Sequence, residues 1–93
     1  MIRSFASKPT QEISEGRQSR RLPPDVQRIA RRKLRMINNA TNVAELRVPP
    51  NNRLERLKGD RSGMYSIRIN DQWRICFRWD DGDVHDVEVV DYH

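Results

Sequence analysis

The chain closes on Asp91-Tyr92-His93, and Lys58, Arg68, Arg74 and Arg78 precede that end. These side chains are the kinds that phosphodiester cleavage without a metal requires. A base must take the proton of the attacking hydroxyl, an acid must protonate the departing oxygen, and cations must meet the charge growing on the phosphate. An imidazole, with an ordinary pKa of roughly 6.5, serves as acid or base near neutral pH. Arg74 and Lys58 are candidate phosphate contacts, and His93 is the candidate acid/base. A lone final histidine is more often a frayed end than a catalyst. The assignment therefore depends on whether the fold delivers that end beside the cations.

Strand patterning says that it does. Tyr65, Ile67 and Ile69 alternate with Ser66 and Arg68, while Trp73, Ile75, Phe77 and Trp79 alternate with Arg74, Cys76 and Arg78. Burying both apolar sides sets Tyr65 opposite Phe77, Ile67 opposite Ile75 and Ile69 opposite Trp73, with Asn70, Asp71 and Gln72 as the loop. Arg68 then faces Arg74, with Arg78 two pleats further on. Like charges there repel unless acids or a bound anion compensate them, and Asp86 and Glu88 of the last strand can project onto the same face. A turn at Asp81-Gly82-Asp83 leads into Val84 to Val90, whose Val87 and Val89 continue the buried side. Leu54 and Leu57 flank a short strand ending at Gly59, and Met1 to Phe5 has room for a brief first strand.

Before Val48-Pro49-Pro50 the period is helical. Pro23 and Pro24 open an amphipathic helix over 24–41, with Val26, Ile29, Ala30, Leu34, Met36, Ile37 and Ala40 inside one arc at 100° per residue. Arg28, Arg31, Arg32 and Arg35 form the opposite stripe, suited equally to solvent and to anions. Lys33 falls within the apolar arc and is expected to extend its amine out past the core. Residues 8–22, with Arg17, Arg20 and Arg21 and few apolar groups, are expected to be weakly held and mobile. The fold class that follows is α+β: a small, mainly antiparallel sheet with a helix or helices packed on one face, in a single domain over 1–93.

Charge placement favours a polyanion partner. Residues 1–60 hold fourteen Lys/Arg against six Asp/Glu, and fifteen of the eighteen cations are Arg. No stretch is apolar enough to span a membrane and the start lacks a leader-like core, so a cytoplasmic protein is expected. Cys76 has no partner cysteine and reads as a small buried residue. No Cys/His spacing supports zinc, and His85 and His93 do not make a metal pair, so neither metal nor cofactor is expected. The phosphate-binding loop, nucleophile-elbow and dinucleotide motifs are missing, which leaves nucleotide hydrolysis, esterase and redox chemistry without an anchor.

Three segments in order, Arg53 to Asp60 (RLERLKGD), Met64 to Trp79 (MYSIRINDQWRICFRW) and Val87 to His93 (VEVVDYH), closely resemble HigB-type toxins of the RelE/ParE toxin-antitoxin superfamily. The resemblance is strong over the sheet half and weak over the helix. It implies a RelE-like fold and a metal-independent endoribonuclease that cuts translated messenger RNA in the ribosomal decoding site. The partners it implies are a HigA-like helix-turn-helix antitoxin, the ribosome and, through the toxin-antitoxin complex, operator DNA. Carried over by position, its functional residues are Lys58, Arg74, Asp91, Tyr92 and His93. His93 would be the principal acid/base, Arg74 the transition-state cation, Lys58 a phosphate contact, Tyr92 a stacking or orienting group, and Asp91 the residue that positions its neighbours. Glu55 stands where some members have a histidine; its carboxylate offers another base and also repels phosphate. Arg68, Arg78, the Arg28 to Arg35 stripe, Arg20 and Arg21 are the expected RNA and ribosome contacts. The alternative is a non-enzymatic protein, either ParE-like or a basic RNA-binding module, that acts by occupying its partner. One scaffold hosts both kinds of activity.

Overall fold

The computed structural model describes residues 1–59 and 63–92. Two helices, α1 (Lys8–Ser14) and α2 (Pro24–Asn39), are followed by two short 3-10 turns, Val43–Arg47 and Pro50–Asn52. Four strands then form one antiparallel sheet in chain order: β1 (Glu55–Arg56), β2 (Met64–Arg68), β3 (Trp73–Asp80) and β4 (Asp83–Asp91). The expected α+β layering is present.

Burial fixes the register as the alternation implied: Tyr65 pairs with Phe77, Ile67 with Ile75 and Arg68 with Arg74, while the Ile69 amide donates to the Trp73 carbonyl. Asn70 shapes the loop between β2 and β3, its side-chain oxygen accepting from the amides of Gln72 and Trp73. Asp81 and Gly82, both at positive φ, make the two-residue turn into β4. The pairing of β3 with β4 shifts between Cys76 and Arg78, and Asp86 adopts φ 56°. This bulge absorbs one residue, which lets Val84 and Val87, an odd step apart, both bury against the helices. The expected first strand is reduced to two parallel bridges, Ile2 with Val84 and Phe5 with Val87.

Between sheet and helices lies the core of Ile13, Val26, Ala30, Leu34, Ile37, Leu46, Ile67, Ile75, Phe77, Val84 and Val87. The arc of α2 supplies its share, and the helix stops at Asn39, two residues short of the expected end. Lys33 corrects the sequence reading. Its side chain does not reach past the core; it is buried, and its amine donates to the Arg68 carbonyl at 2.5 Å.

Residues 8–22 hold more contacts than their composition implies. Ser7 caps α1, its hydroxyl accepting from the Thr10 amide, and the Thr10 hydroxyl accepts from the Val89 amide of β4 at 2.9 Å. Ile13 is fully buried. Arg31 leaves the arginine stripe to donate to the carbonyls of Ile13 and Arg17 at the end of α1. The Gln27 amide nitrogen donates to the carbonyls of Ser19 and Leu22, and its oxygen accepts from the Ser19 amide. Ile13→Ala should therefore cost about 2–5 kcal/mol in urea denaturation. A cost below about 1 kcal/mol would mean that the segment is as loosely held as its composition implies.

Candidate active site

Arg74 is the organising group. It projects from β3 onto the sheet face turned away from the helices, where Ser66 of β2 lies beside it. Its Nε donates to the Ser66 hydroxyl at 2.8 Å, and one terminal nitrogen donates to the carbonyls of Arg53 at 2.6 Å and Ser66 at 3.2 Å. Arg53 offers that carbonyl because it ends the second 3-10 turn in the left-handed region, φ 45°, an unusual conformation for a side chain of its size. The guanidinium is thus held at three points, and the residue is 7% exposed. Its other terminal nitrogen faces the Glu55 carboxylate at 3.8 Å, too far for a normal hydrogen bond. That edge of the fork is the one left to meet an anion.

Around it opens a cleft of about 340 Å³ lined by Arg53, Glu55, Arg68, Asn70, Asp71, Arg74 and Tyr92. Three arginines and two acidic residues line it. The juxtaposition of Arg68 and Arg74 is compensated by different acids from those expected. Asp71 of the loop pairs with Arg68, Glu55 of β1 stands near Arg74, and Asp86 is 3.5 Å from Arg78. Asp71 is almost fully exposed and Glu55 more than half so, so neither ion pair closes the cleft. Screened pairs of this sort contribute little to stability.

Tyr92 places its ring 5.8 Å from the Arg74 guanidinium carbon, a cation–π distance, and is itself exposed at the cleft mouth. The Tyr92 amide donates to the Gln72 carbonyl at 2.6 Å. Asp91, opposite Trp73 at the end of β4, accepts from the Gln72 side chain at 3.0 Å. The loop between β2 and β3 thereby locks the last residues of β4 to the arginine.

Among the expected site residues, the fold brings Arg74, Arg68 and Tyr92 together, with Asp91 tying the end of β4 in place. Lys58 is exposed past the end of β1, beyond the row where the Leu57 amide meets the Met64 carbonyl, and outside the cleft lining. His93 lies outside the described residues. Arg78 sits exposed toward the other end of the sheet. Arg20, Arg21, Arg28, Arg32 and Arg35 are exposed on the helical side, whereas Arg31 is committed to the end of α1. Among the described residues no cluster of His, Cys, Asp or Glu could hold a metal ion. No helix among them is long and apolar enough to cross a membrane.

Sequence reasoning missed Ser66, Arg53 and Asn70. The register could have found Ser66, which shares a face with Arg68 and Arg74. Nothing periodic marks Arg53, whose part is played by a main-chain carbonyl in a turn. Lys33 was missed as a neighbour: burial, then Arg32, Arg68 and Arg74, push its pKa below the ordinary lysine value.

A family model described as RelE-like toxin of type II toxin-antitoxin system HigB matches residues 3–93. Endoribonuclease HigB of Proteus vulgaris is 39% identical over 98 residues and is covered completely, as is this chain. Toxin HigB-1 of Vibrio cholerae is 38% identical over 72 residues, 77% of this chain and 76% of its own. Among solved structures, the YoeB-YefM complex from Staphylococcus aureus contains a chain similar in fold, with a TM-score of 0.62 at 19% identity, covering 100% of this chain and 98% of that one.

Proposed function

Because this chain belongs to the family of RelE-like toxins of HigB type II toxin-antitoxin systems, we propose that it is an endoribonuclease cutting translated messenger RNA in the ribosomal decoding site. The observation that carries the chemistry is Arg74, clamped by three acceptors with one edge presented to a cleft that also holds a carboxylate and an exposed aromatic ring.

A substrate 2′-oxygen attacks the adjacent phosphorus once a base has taken its proton. The 5′-oxygen of the next nucleotide leaves with a proton from an acid, giving a 2′,3′-cyclic phosphate and a 5′-hydroxyl. Arg74 meets the charge on the non-bridging oxygens without reorganising, because its geometry is already fixed. Tyr92 stacks on a base beside the scissile bond, and Asp91 holds the end of β4 through Gln72. His93 is the principal acid/base, and Glu55, the carboxylate nearest Arg74, is the second group able to take a proton. Lys58, outside the cleft lining, binds the phosphate of a neighbouring nucleotide. No step calls for a metal.

Arg20, Arg21, Arg28, Arg32 and Arg35, with Arg78 on the sheet, contact ribosomal RNA phosphates. Such contacts release counterions, so affinity falls steeply with salt. Replacing Arg28, Arg32 and Arg35 together by Gln should reduce the slope of log affinity against log salt by roughly two to three, measured by cosedimentation with ribosomes over a potassium chloride series. An unchanged slope would remove the stripe from the interface. The neutralising partner is a HigA-like helix-turn-helix antitoxin, and the complex binds operator DNA. The YoeB chain of similar fold was solved with YefM, which supports a protein partner for this one. The protein works in the cytoplasm, where ribosomes and antitoxin are found.

Purified protein added to a translation extract, with message 5′ ends mapped afterwards, tests the activity. New ends that require translation are expected. Growth arrest with intact message and a DNA damage response would instead favour the partner-occupancy alternative.

A further inference from the structure

Lys33 takes no part in the acid/base scheme or the ribosome-facing stripe. It sits mid-arc on α2 beside Ala30, Leu34 and Ile37, all core residues, and is itself 4% exposed. The acceptor of its amine is a neutral carbonyl, that of Arg68. The charged groups acting on it are Arg32 of its own helix, Arg68 of β2 and Arg74 of β3, all cations. Burying an ammonium in such company opposes folding. An apolar side chain would serve the packing as well, so the charge calls for a reason other than stability.

Position supplies the reason. The carbonyl that Lys33 holds belongs to Arg68, whose side chain lines the cleft and whose strand partner is Arg74. We propose that Lys33 is a positioning residue of the cleft: a buried positive charge behind the Arg68–Arg74 pair that pins the end of β2 and strengthens binding of the scissile phosphodiester. This rests on the cleft being the phosphate site. Asp71 and Glu55 offset Arg68 and Arg74 only from solvent-exposed positions, so with no anion bound a net repulsion remains among Arg68, Arg74 and Lys33. An anion relieves that repulsion on entry, so part of its affinity comes from strain stored among the three cations. Linkage makes the effect reciprocal: the factor by which the charged amine tightens anion binding is the factor by which the anion tightens the amine's hold on its proton.

Carbon and proton NMR of the lysine side chains in the intact wild-type chain, titrated with and without inorganic phosphate, reads this directly. Phosphate should shift the Arg74 Nε–H resonance and raise the Lys33 pKa by about one unit, the equivalent of tenfold tighter binding. A shift at Arg74 with no response at Lys33 overturns the Lys33 proposal alone. No shift at Arg74 overturns the phosphate reading of the cleft, and this proposal with it. Uncharged variants give a second readout. In Lys33→Met and Lys33→Gln, KM for message cutting on ribosomes should rise about tenfold with kcat within about twofold, while the melting temperature holds or rises. Wild-type KM in both variants would show that Lys33 serves packing only.

Discussion

Arg74→Ala should lower message cutting by on the order of 10²–10³-fold, the usual cost of removing one preorganised donor from a transition-state anion. The same substitution orphans the Ser66 hydroxyl and the Arg53 and Ser66 carbonyls, which Arg74 now satisfies. Stability should fall by about 1–3 kcal/mol as a result. Arg74→Lys separates the two effects. A lysine keeps the positive charge and a donor for the buried acceptors but cannot span all three and still present a free edge, so it should regain part of the lost stability while cutting remains well below wild type. Message-end mapping and urea denaturation on the same preparations provide both measurements. Full cutting by folded Arg74→Ala would eliminate the cleft as the site of chemistry.

Removing the proposed acid/base should be as severe. His93→Ala should reduce the rate by about 10²–10⁴-fold, the range attributed to a positioned proton donor or acceptor. Glu55→Gln distinguishes two roles for the carboxylate near Arg74. If Glu55 takes the 2′-hydroxyl proton, the variant loses kcat and the acidic limb of the pH–rate profile. If Glu55 only competes with phosphate for the Arg74 edge, the variant lowers KM and leaves that limb in place. We expect the second outcome, with His93 controlling the limb. Retention of full rate in His93→Ala together with collapse in Glu55→Gln would transfer the base assignment to Glu55.

What the amino-acid order revealed, and what it concealed, divides along a physical line. Alternation between Tyr65 and Trp79 allows only one register that buries both apolar sides, so the opposition of Arg68 and Arg74 followed without coordinates. The arc of α2 followed from its period in the same way. The acids that balance those arginines did not, because Asp71 and Glu55 sit in a loop and a two-residue strand whose positions no periodicity fixes. Lys33 was misjudged because lysine is ordinarily assumed to reach solvent, whereas here a strand-end carbonyl waits inside. The segment 8–22 looked poor in apolar anchors because its anchoring is mostly polar: Thr10 on the Val89 amide, Gln27 on Ser19, and Arg31 on the last turn of α1.

The parallel bridges of Ile2 and Phe5 have a bearing on life without a partner. They cover part of the outer rim of β4, with main-chain bonds from Arg3 to Val84 and from Ala6 to Val87. At the opposite rim β1 spans only two residues, yet the Met64 carbonyl of β2 is taken by the Leu57 amide and that of Arg68 by the Lys33 amine. Among the described residues neither flank offers a long row of unpaired peptide groups, the usual template for chains to stack strand against strand. Among the described residues, then, the rims of the sheet are covered by the chain's own amino-terminal bridges and by the Leu57 and Lys33 donors.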